Sequence, residues 1–294
     1  MTTRSSPTSW IAGSRRPLPS AVRRAAVLTH GKPETIGPGL SRLAAVARAA
    51  GVELLLPREE LEKHGLDETP AELERADLVI VLGGDGTMLR ALQRLLGTGV
   101  AAIGVNFGRV GFLASVGRDQ LEEAMPRVFA GGYEVAELPT LEVELEETRA
   151  PAVNDVVCAH SQIGRMVELS WSVGGEDLGR QACDGILCSS PSGSTAYNLS
   201  NGGPVLVWGL DAMAVTFIAP HSLDARPLVV PRGLDLVIGN ETPDVPVTVL
   251  ADGHALGDIP PAGRAVVRLG EPRSLLAVLP EATFFLRYRQ TFRA

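Results

Sequence analysis

From Arg24 onward, short apolar runs alternate with stretches whose apolar residues recur at helical spacing. Arg24 to His30 predicts a first strand. Leu40, Leu43, Ala44, Val46, Ala47 and Ala50 share one side of a helix that Gly51 ends. Val52 to Leu56 predicts a second strand. The charged stretch from Arg58 to Arg75 predicts one or two short helices, broken at Gly65 and Pro70. Asp77 to Leu82 is a third strand, rich in β-branched Val79, Ile80 and Val81. Met88, Leu89, Leu92, Leu95 and Leu96 line the next helix and Gly97 stops it. Val100 to Val105 is a further strand, and a helix from Asp119 to Phe129, bent at Pro126, closes this half.

The period changes after Tyr133. Leu141, Val143 and Leu145 alternate with Glu142, Glu144 and Glu146, which is a strand with one solvent face. Short runs of β character follow at Ala152 to Ala159, Met166 to Val173, Ile186 to Cys188, Ala214 to Ile218, Leu234 to Ile238, Val245 to Leu250 and Ala265 to Leu269. Gly174-Gly175 reads as a hairpin turn. The expected fold is therefore α/β plus all-β: an N-terminal doubly wound parallel sheet followed by a β-sandwich-like half. The expected divisions are a disordered tail over 1–21, an α/β domain over 22–131, an all-β domain over 132–275, and a closing segment over 276–294 that returns to the first domain. Gly131-Gly132 marks the first boundary.

Composition narrows the function classes. Over 294 residues, 27 Lys and Arg oppose 34 Asp and Glu for a net charge of −7, which argues against a general nucleic-acid surface. No apolar run is long enough to span a bilayer, so no membrane partner is expected. Three cysteines, Cys158, Cys183 and Cys188, form no zinc spacing and read as buried thiols of a reducing, cytoplasmic compartment. The first ~20 residues lack an apolar core for a secretory signal and read as a tail.

Two glycine turns and one hydroxyl-rich run carry the candidate chemistry. Gly83-Gly84-Asp85-Gly86-Thr87 joins the third strand to its helix. Its glycines let a ligand approach bare main chain, and Thr87 as N-cap would leave amide groups free for a phosphate. The alternative is a tight turn in which Asp85 only caps the helix. A second turn, Gly104 to Leu113, ends the next strand, so the two can face one another across a cleft. In the second half, Asp184-Gly185 leads into Ser189 to Ser200 and Gly202-Gly203-Pro204, where hydroxyls and glycines dominate. Such a turn offers N–H groups and hydroxyls to a sugar or phosphate, and Tyr197 can cover a flat ring. His30, His64 and His160 read as surface or strand-end histidines, Trp171 and Trp208 as core or interface, and Arg287, Arg289 and Arg293 as a solvated face.

These motifs, in this order, resemble the NAD kinases of the bacterial type. The family's Gly-Gly-Asp-Gly-Thr turn, Asn-Glu pair, Asp-Gly with a Thr-Pro-Thr-Gly-Ser-Thr-Ala-Tyr run, and late Asp-Gly are matched here. They appear as Gly83 to Thr87, Asn154-Asp155, Asp184-Gly185 with Ser190 to Tyr197, and Asp252-Gly253. Residues 104–113 match a further family stretch, as do Pro220-His221-Ser222 and Arg226-Pro227-Leu228. The resemblance spans about 75–293, and the run through Tyr197 is its most specific part.

The resemblance implies transfer of the γ-phosphoryl of ATP, or of polyphosphate, to the adenosine 2′-hydroxyl of NAD, with Mg²⁺ or another divalent cation. It implies Asp85 as the catalytic carboxylate and Gly83, Gly84, Gly86 and Thr87 at the phosphates. For NAD it implies Asp85, Gly86, Arg90, Phe112, Asn154, Asp155, Arg165, Asp184, Ser192, Thr195, Ala196, Tyr197, Asn198, Leu199, Ser200, Asp252 and His254. No metal ligand set follows from it; a homodimer or homotetramer does. Asp155 is one methylene shorter than the family's Glu, His254 stands for a common Gln, and Ala182 replaces an Arg of some members. A dinucleotide sensor with weak catalysis, or a lipid or sugar kinase sharing only the first turn, are the alternatives.

Overall fold

The computed structural model describes residues 21–31, 33–108, 111–161 and 165–292. The expected tail over 1–21 lies outside them except for Ala21. Contacts divide the chain into two compact units, one running to Glu137 and resuming at Leu275, the other Leu138–Ser274.

The first unit is a sheet with helices on both faces. Its elements are β1 (Arg24–Thr29), α1 (Pro33–Ala50), β2 (Glu53–Leu55), α2 (Arg58–His64), β3 (Leu78–Gly83), α3 (Asp85–Arg94), β4 (Ala101–Asn106), β5 (Val116–Gly117), α4 (Leu121–Phe129) and β6 (Glu134–Leu138). The sheet order is β2-β1-β3-β4, then β19 (Ser274–Val278) and β6, with β5 beside β4. Pairing is parallel from β2 through β4 to β19. The last helix, α6 (Phe284–Phe292), belongs to this unit as well. Gly131-Gly132 is not where the sheet ends, because β6 follows it.

Alternate strand residues explain the two helical layers. Ala25, Val27, Ile80, Leu82, Ile103 and Val105 face α1 and α4, where they meet Ile36, Leu43, Leu121 and Met125. On the other face, Met88 of α3 packs so closely on β4 that a Cβ at Gly104 would come 2.8 Å from its Sδ. The chain steps from β1 outward to β2, then returns to place β3 on the other side of β1. That reversal puts the switch point between the carboxyl ends of β1 and β3, where open parallel sheets bind ligands.

The second unit is a sandwich of two antiparallel sheets. Its strands are β7 (Leu141–Leu145), β8 (Thr148–Ala152), β9 (Asp155–His160), β10 (Val167–Val173), β11 (Glu176–Cys183), β12 (Gly185–Ser189), β13 (Ala212–Ile218), β14 (Leu228–Pro231), β15 (Leu236–Asn240), β16 (Val247–Ala251), β17 (His254–Ile259) and β18 (Arg264–Leu269). One sheet runs β11-β10-β15-β18-β7-β8 and the other β14-β13-β12-β9-β16-β17. Their inward residues, among them Val143, Val156, Leu169, Ile186, Val215, Ile238, Val249 and Val267, form one core. Cys158, Cys183 and Cys188 are unpaired and lie in it; burial pushes the Cys158 and Cys183 thiols up to about 12. The Gly174-Gly175 hairpin pairs Val173 with Glu176, both glycines having positive φ, 59° and 88°. The run from Ala152 to Ala159, expected as one strand, is two: Val153 and Asn154 carry the chain from one sheet to the other.

Candidate functional site

In the first unit the site is built around a clamped carboxylate. The helix α3 begins at Asp85, with Gly84 as its N-cap, so Thr87 is not the cap. Thr87 sits buried in the first turn with its amide bonded to the Gly84 carbonyl at 3.0 Å. A Cβ at Gly83 would lie 2.6 Å from its hydroxyl. Asp85 does not cap the helix either, because its carboxylate crosses to the second glycine turn. Phe112 N–H donates to Oδ2 at 2.7 Å and Leu113 N–H to Oδ1 at 3.1 Å. The two turns are thus joined directly through this carboxylate.

The glycines divide into two kinds. A Cβ at Gly111 would overlap the Asp85 carboxylate, so packing demands that glycine. Gly84 and Gly86 are different: a Cβ on either would meet nothing within 4 Å, and neither has positive φ. Gly86 sits in the first turn of the helix. Neither backbone angle nor packing calls for them, which leaves close approach of a ligand to the first amides of α3. Arg90, one turn on, is exposed. Phe112 offers no ring to a ligand: it is buried against Phe284 and Phe292, with centroids 5.8 and 5.6 Å away.

Gly111→Ala is expected to drive Asp85 from its seat and lower kcat on the order of a hundredfold while the fold persists. Turnover measured beside a thermal melt checks this; wild-type turnover would show that the clamp is dispensable.

Two residues of this unit escape their sequence reading. Arg287 is buried, not solvated, and its Nη1 donates to the carbonyls of Phe112 at 2.9 Å and Ala114 at 2.8 Å. Burial pulls its guanidinium down to about 10, against the opposing pull of Asp85. Arg289 is exposed and Arg293 lies outside the described residues. The His64 side chain is buried at the end of α2, its Nε2 3.0 Å from Thr29 Oγ1, beside a buried Glu60 that also pairs with Lys63 at 2.7 Å. This group ties α2 to the end of β1.

In the second unit the sandwich corner holds a second cluster. Asp252 sits in a left-handed conformation, φ 48°, on the turn between β16 and β17. Its carboxylate accepts the N–H groups of Val153 at 2.7 Å, Asn154 at 2.7 Å and Asp155 at 3.1 Å. It therefore fixes the Asn154-Asp155 pair. Ser192 Oγ donates to Asn154 Oδ1 at 3.0 Å, and Ser190 bonds to the Val153 and Asn154 carbonyls. A Cβ at Gly193 would overlap the Asn154 carbonyl, so that glycine lets the hydroxyl-rich loop close on the pair. Burial, with Asp252 adding to it, pushes the Asp155 carboxyl up to about 6.

The rest of the loop, which ends in the short helix α5 (Tyr197–Ser200), splits by exposure. Ala196, Tyr197 and Ser200 are exposed, Thr195 and Leu199 half-buried. Asn198 is placed inside: fully buried, its amide donates to the Ser194 and Pro204 carbonyls and accepts from Thr216. It braces the loop from within. His254 is exposed at the start of β17, opposite Ala251. Asp184 is not brought to this cluster, and neither is Arg165, which stands two residues before Val167, the partner of Cys183 beside Asp184. Ser189 pairs with Asp155 but Gly185 pairs with Ala159, so Asp184 lies at the far end of β12, about 17 Å along the strand.

Family models give the decisive comparison. The ATP-NAD kinase N-terminal domain matches residues 58–133 and the C-terminal domain 153–278. An NAD kinase of Ralstonia nicotianae is 37% identical over 268 residues, 88% of each chain. The NAD kinase 2 of Streptomyces coelicolor is 38% identical, over 90% of this chain and 88% of its own. The chain belongs to the NAD kinase family. Among solved structures, an Archaeoglobus fulgidus NAD kinase in complex with ATP superposes with a TM-score of 0.69 at 27% identity, over 92% of this chain and 97% of that one. A yeast NADH kinase complexed with NADH, at 19% identity and a TM-score of 0.79 over 94% and 91%, shares the fold. As an NAD kinase the chain is a phosphotransferase, and the lipid or sugar kinase and sensor readings are not favoured. No helix of the described residues is long and apolar enough to cross a membrane.

Proposed function

We propose that the chain transfers the γ-phosphoryl of ATP to the adenosine 2′-hydroxyl of NAD, with Asp85 orienting the attacking hydroxyl. The observation that carries this reading is the Asp85 carboxylate, held by two backbone amides at the mouth of a turn whose Gly84 and Gly86 face open space. ATP as donor is supported by the similarity to the Archaeoglobus enzyme solved with ATP.

Any carboxylate is a far weaker base than an alkoxide, so Asp85 does not strip the ribose hydroxyl of its proton before attack. Phosphoryl transfer through a loose transition state asks little of the nucleophile, and the proton leaves late. Asp85 then aligns the hydroxyl and receives the proton as the new bond forms. The amides at the start of α3 stabilise charge on the phosphates.

NAD kinases generally use a divalent metal. Among the described residues no three His, Cys, Asp or Glu gather as a metal cage. Mg²⁺ would keep most of its waters and rest on the substrate phosphates, with Asp85 as the carboxylate that would hold it. When bound, the ion offsets negative charge on the transferring group.

In the second unit, Asn154 and Asp155 accept and donate to ribose hydroxyls, Ser192 fixes the Asn154 amide, and Tyr197 with Thr195, Ala196, Leu199 and Ser200 lines the adenosine side. Asp252 acts by holding the pair. Arg90, Arg165, Asp184 and His254 contact the dinucleotide outside these clusters. The cytoplasm is the proposed compartment, supported by three unpaired thiols.

The test is NADP formation from NAD, ATP and Mg²⁺, crossed with NADH and polyphosphate. NADP is expected with NAD and ATP. Dinucleotide binding with no phosphorylated product in any arm would convert the reading to that of a sensor.

A further inference from the structure

We propose that Arg287 is a positioning residue for phosphoryl transfer, acting through Asp85. The link is a single peptide group. Arg287 Nη1 donates to the Phe112 carbonyl at 2.9 Å, and the amide of that same peptide, Leu113 N–H, donates to Asp85 Oδ1 at 3.1 Å. Hydrogen bonds in series polarise one another, so the cation strengthens the donor that grips the carboxylate. A second bond, to the Ala114 carbonyl at 2.8 Å, pins the other end of the segment. Phe112 N–H completes the grip on Oδ2.

The segment has no slack, since Gly111 already touches the carboxylate so closely that a Cβ would overlap it. Arg287 is 5% exposed, and burying a cation carries a desolvation cost that an aliphatic side chain would avoid. Packing alone therefore does not account for an arginine here. Its charge is retained at neutral pH and lies within the field of Asp85. The guanidinium is thus placed to set the position of a carboxylate it reaches through the backbone.

The proposal rests on the Asp85 reading given above, and the experiment separates the two. Steady-state kinetics are measured for Arg287→Met, Arg287→Lys, Asp85→Asn and the doubles with Asp85→Asn. Arg287→Met is expected to lower kcat about tenfold to a hundredfold, the cost of a small misplacement, with the KM values for NAD and ATP within about twofold. Arg287→Lys should recover most of the loss. Added to Asp85→Asn, either change should cost less than about twofold more, because the group it positions is gone. Losses that multiply in the double variant, or full kcat in folded Arg287→Met, would overturn the proposal. If Arg287→Met does not fold, Arg287→Gln, which keeps a polar donor but loses the charge, carries the test, and wild-type kinetics there would overturn the proposal too. Full activity in Asp85→Asn would instead remove the Asp85 reading.

Discussion

Asp85→Asn is expected to cut kcat by about two to four orders of magnitude, the range for losing a positioned acid–base group. It should also unfold more easily than the wild type. Each Asp85 oxygen accepts one backbone N–H, from Phe112 and from Leu113. An amide has only one oxygen, so one of those N–H groups would face an NH₂ and lose its partner, at about 1–3 kcal/mol. Urea melts alongside NADP formation test both parts. A variant that keeps its turnover would end the case for Asp85, whereas one that keeps stability but loses turnover would show that the clamp can rearrange.

Asp252→Ala is the second large effect, and it acts at the opposite kind of site. Three backbone N–H groups, on Val153, Asn154 and Asp155, depend on that one carboxylate. Orphaning them should cost about 3–5 kcal/mol and raise the KM for NAD, because the Asn154-Asp155 pair loses its anchor. The pH dependence changes as well. Asp155 titrates at about 6 when folded, above its ordinary 3.8. A raised folded value favours the protonated form, so its contribution is fully present below pH ~4 and is lost as pH rises through 6. The loss is on the order of 3 kcal/mol. Removing Asp252 takes away the charge repulsion that adds to burial, so the fall in stability between pH 4 and 7 should shrink. Denaturant melts at both pH values decide it. An Asp252→Ala protein with wild-type stability and the wild-type pH slope would show that the turn does not anchor the pair.

The sequence made the strands and most helices legible wherever one face repeats at a clear period, as at Leu141 to Glu146 or Met88 to Leu96. It failed where a tertiary contact overrides the local pattern. The helix expected over Leu40 to Ala50 instead begins at Pro33 and runs through Gly37-Pro38-Gly39. Packing calls for the last of these glycines, because the Phe107 ring lies so close to Gly39 that a Cβ would overlap it. The corner at Val153-Asn154 was invisible because apolar residues run up to it and away from it, Ala150 to Val153 on one side and Val156 to Ala159 on the other. In the site, Asp85 and the hydroxyl-rich run were legible because their glycines and hydroxyls are expensive in ordinary strands and helices. The Thr87 cap was misread because Thr is a good cap and Gly84 gives no outward sign of being one. Arg287 and Arg289 look alike in one dimension. Only the third places the first between two carbonyls and leaves the second in water.

The first unit is made of two stretches of chain separated by the whole of the second. A ribosome therefore completes the sandwich sequence before it supplies β19 and α6. The usual order, in which the leading domain folds first, is not open to this chain. Until those residues emerge, β4 lacks its neighbour and the loop that holds Asp85 lacks its cation. A prematurely released product would carry the glycine turn without the Arg287 bonds to the Phe112 and Ala114 carbonyls. Completion of the first unit is in this way tied to synthesis of residues that follow the sandwich.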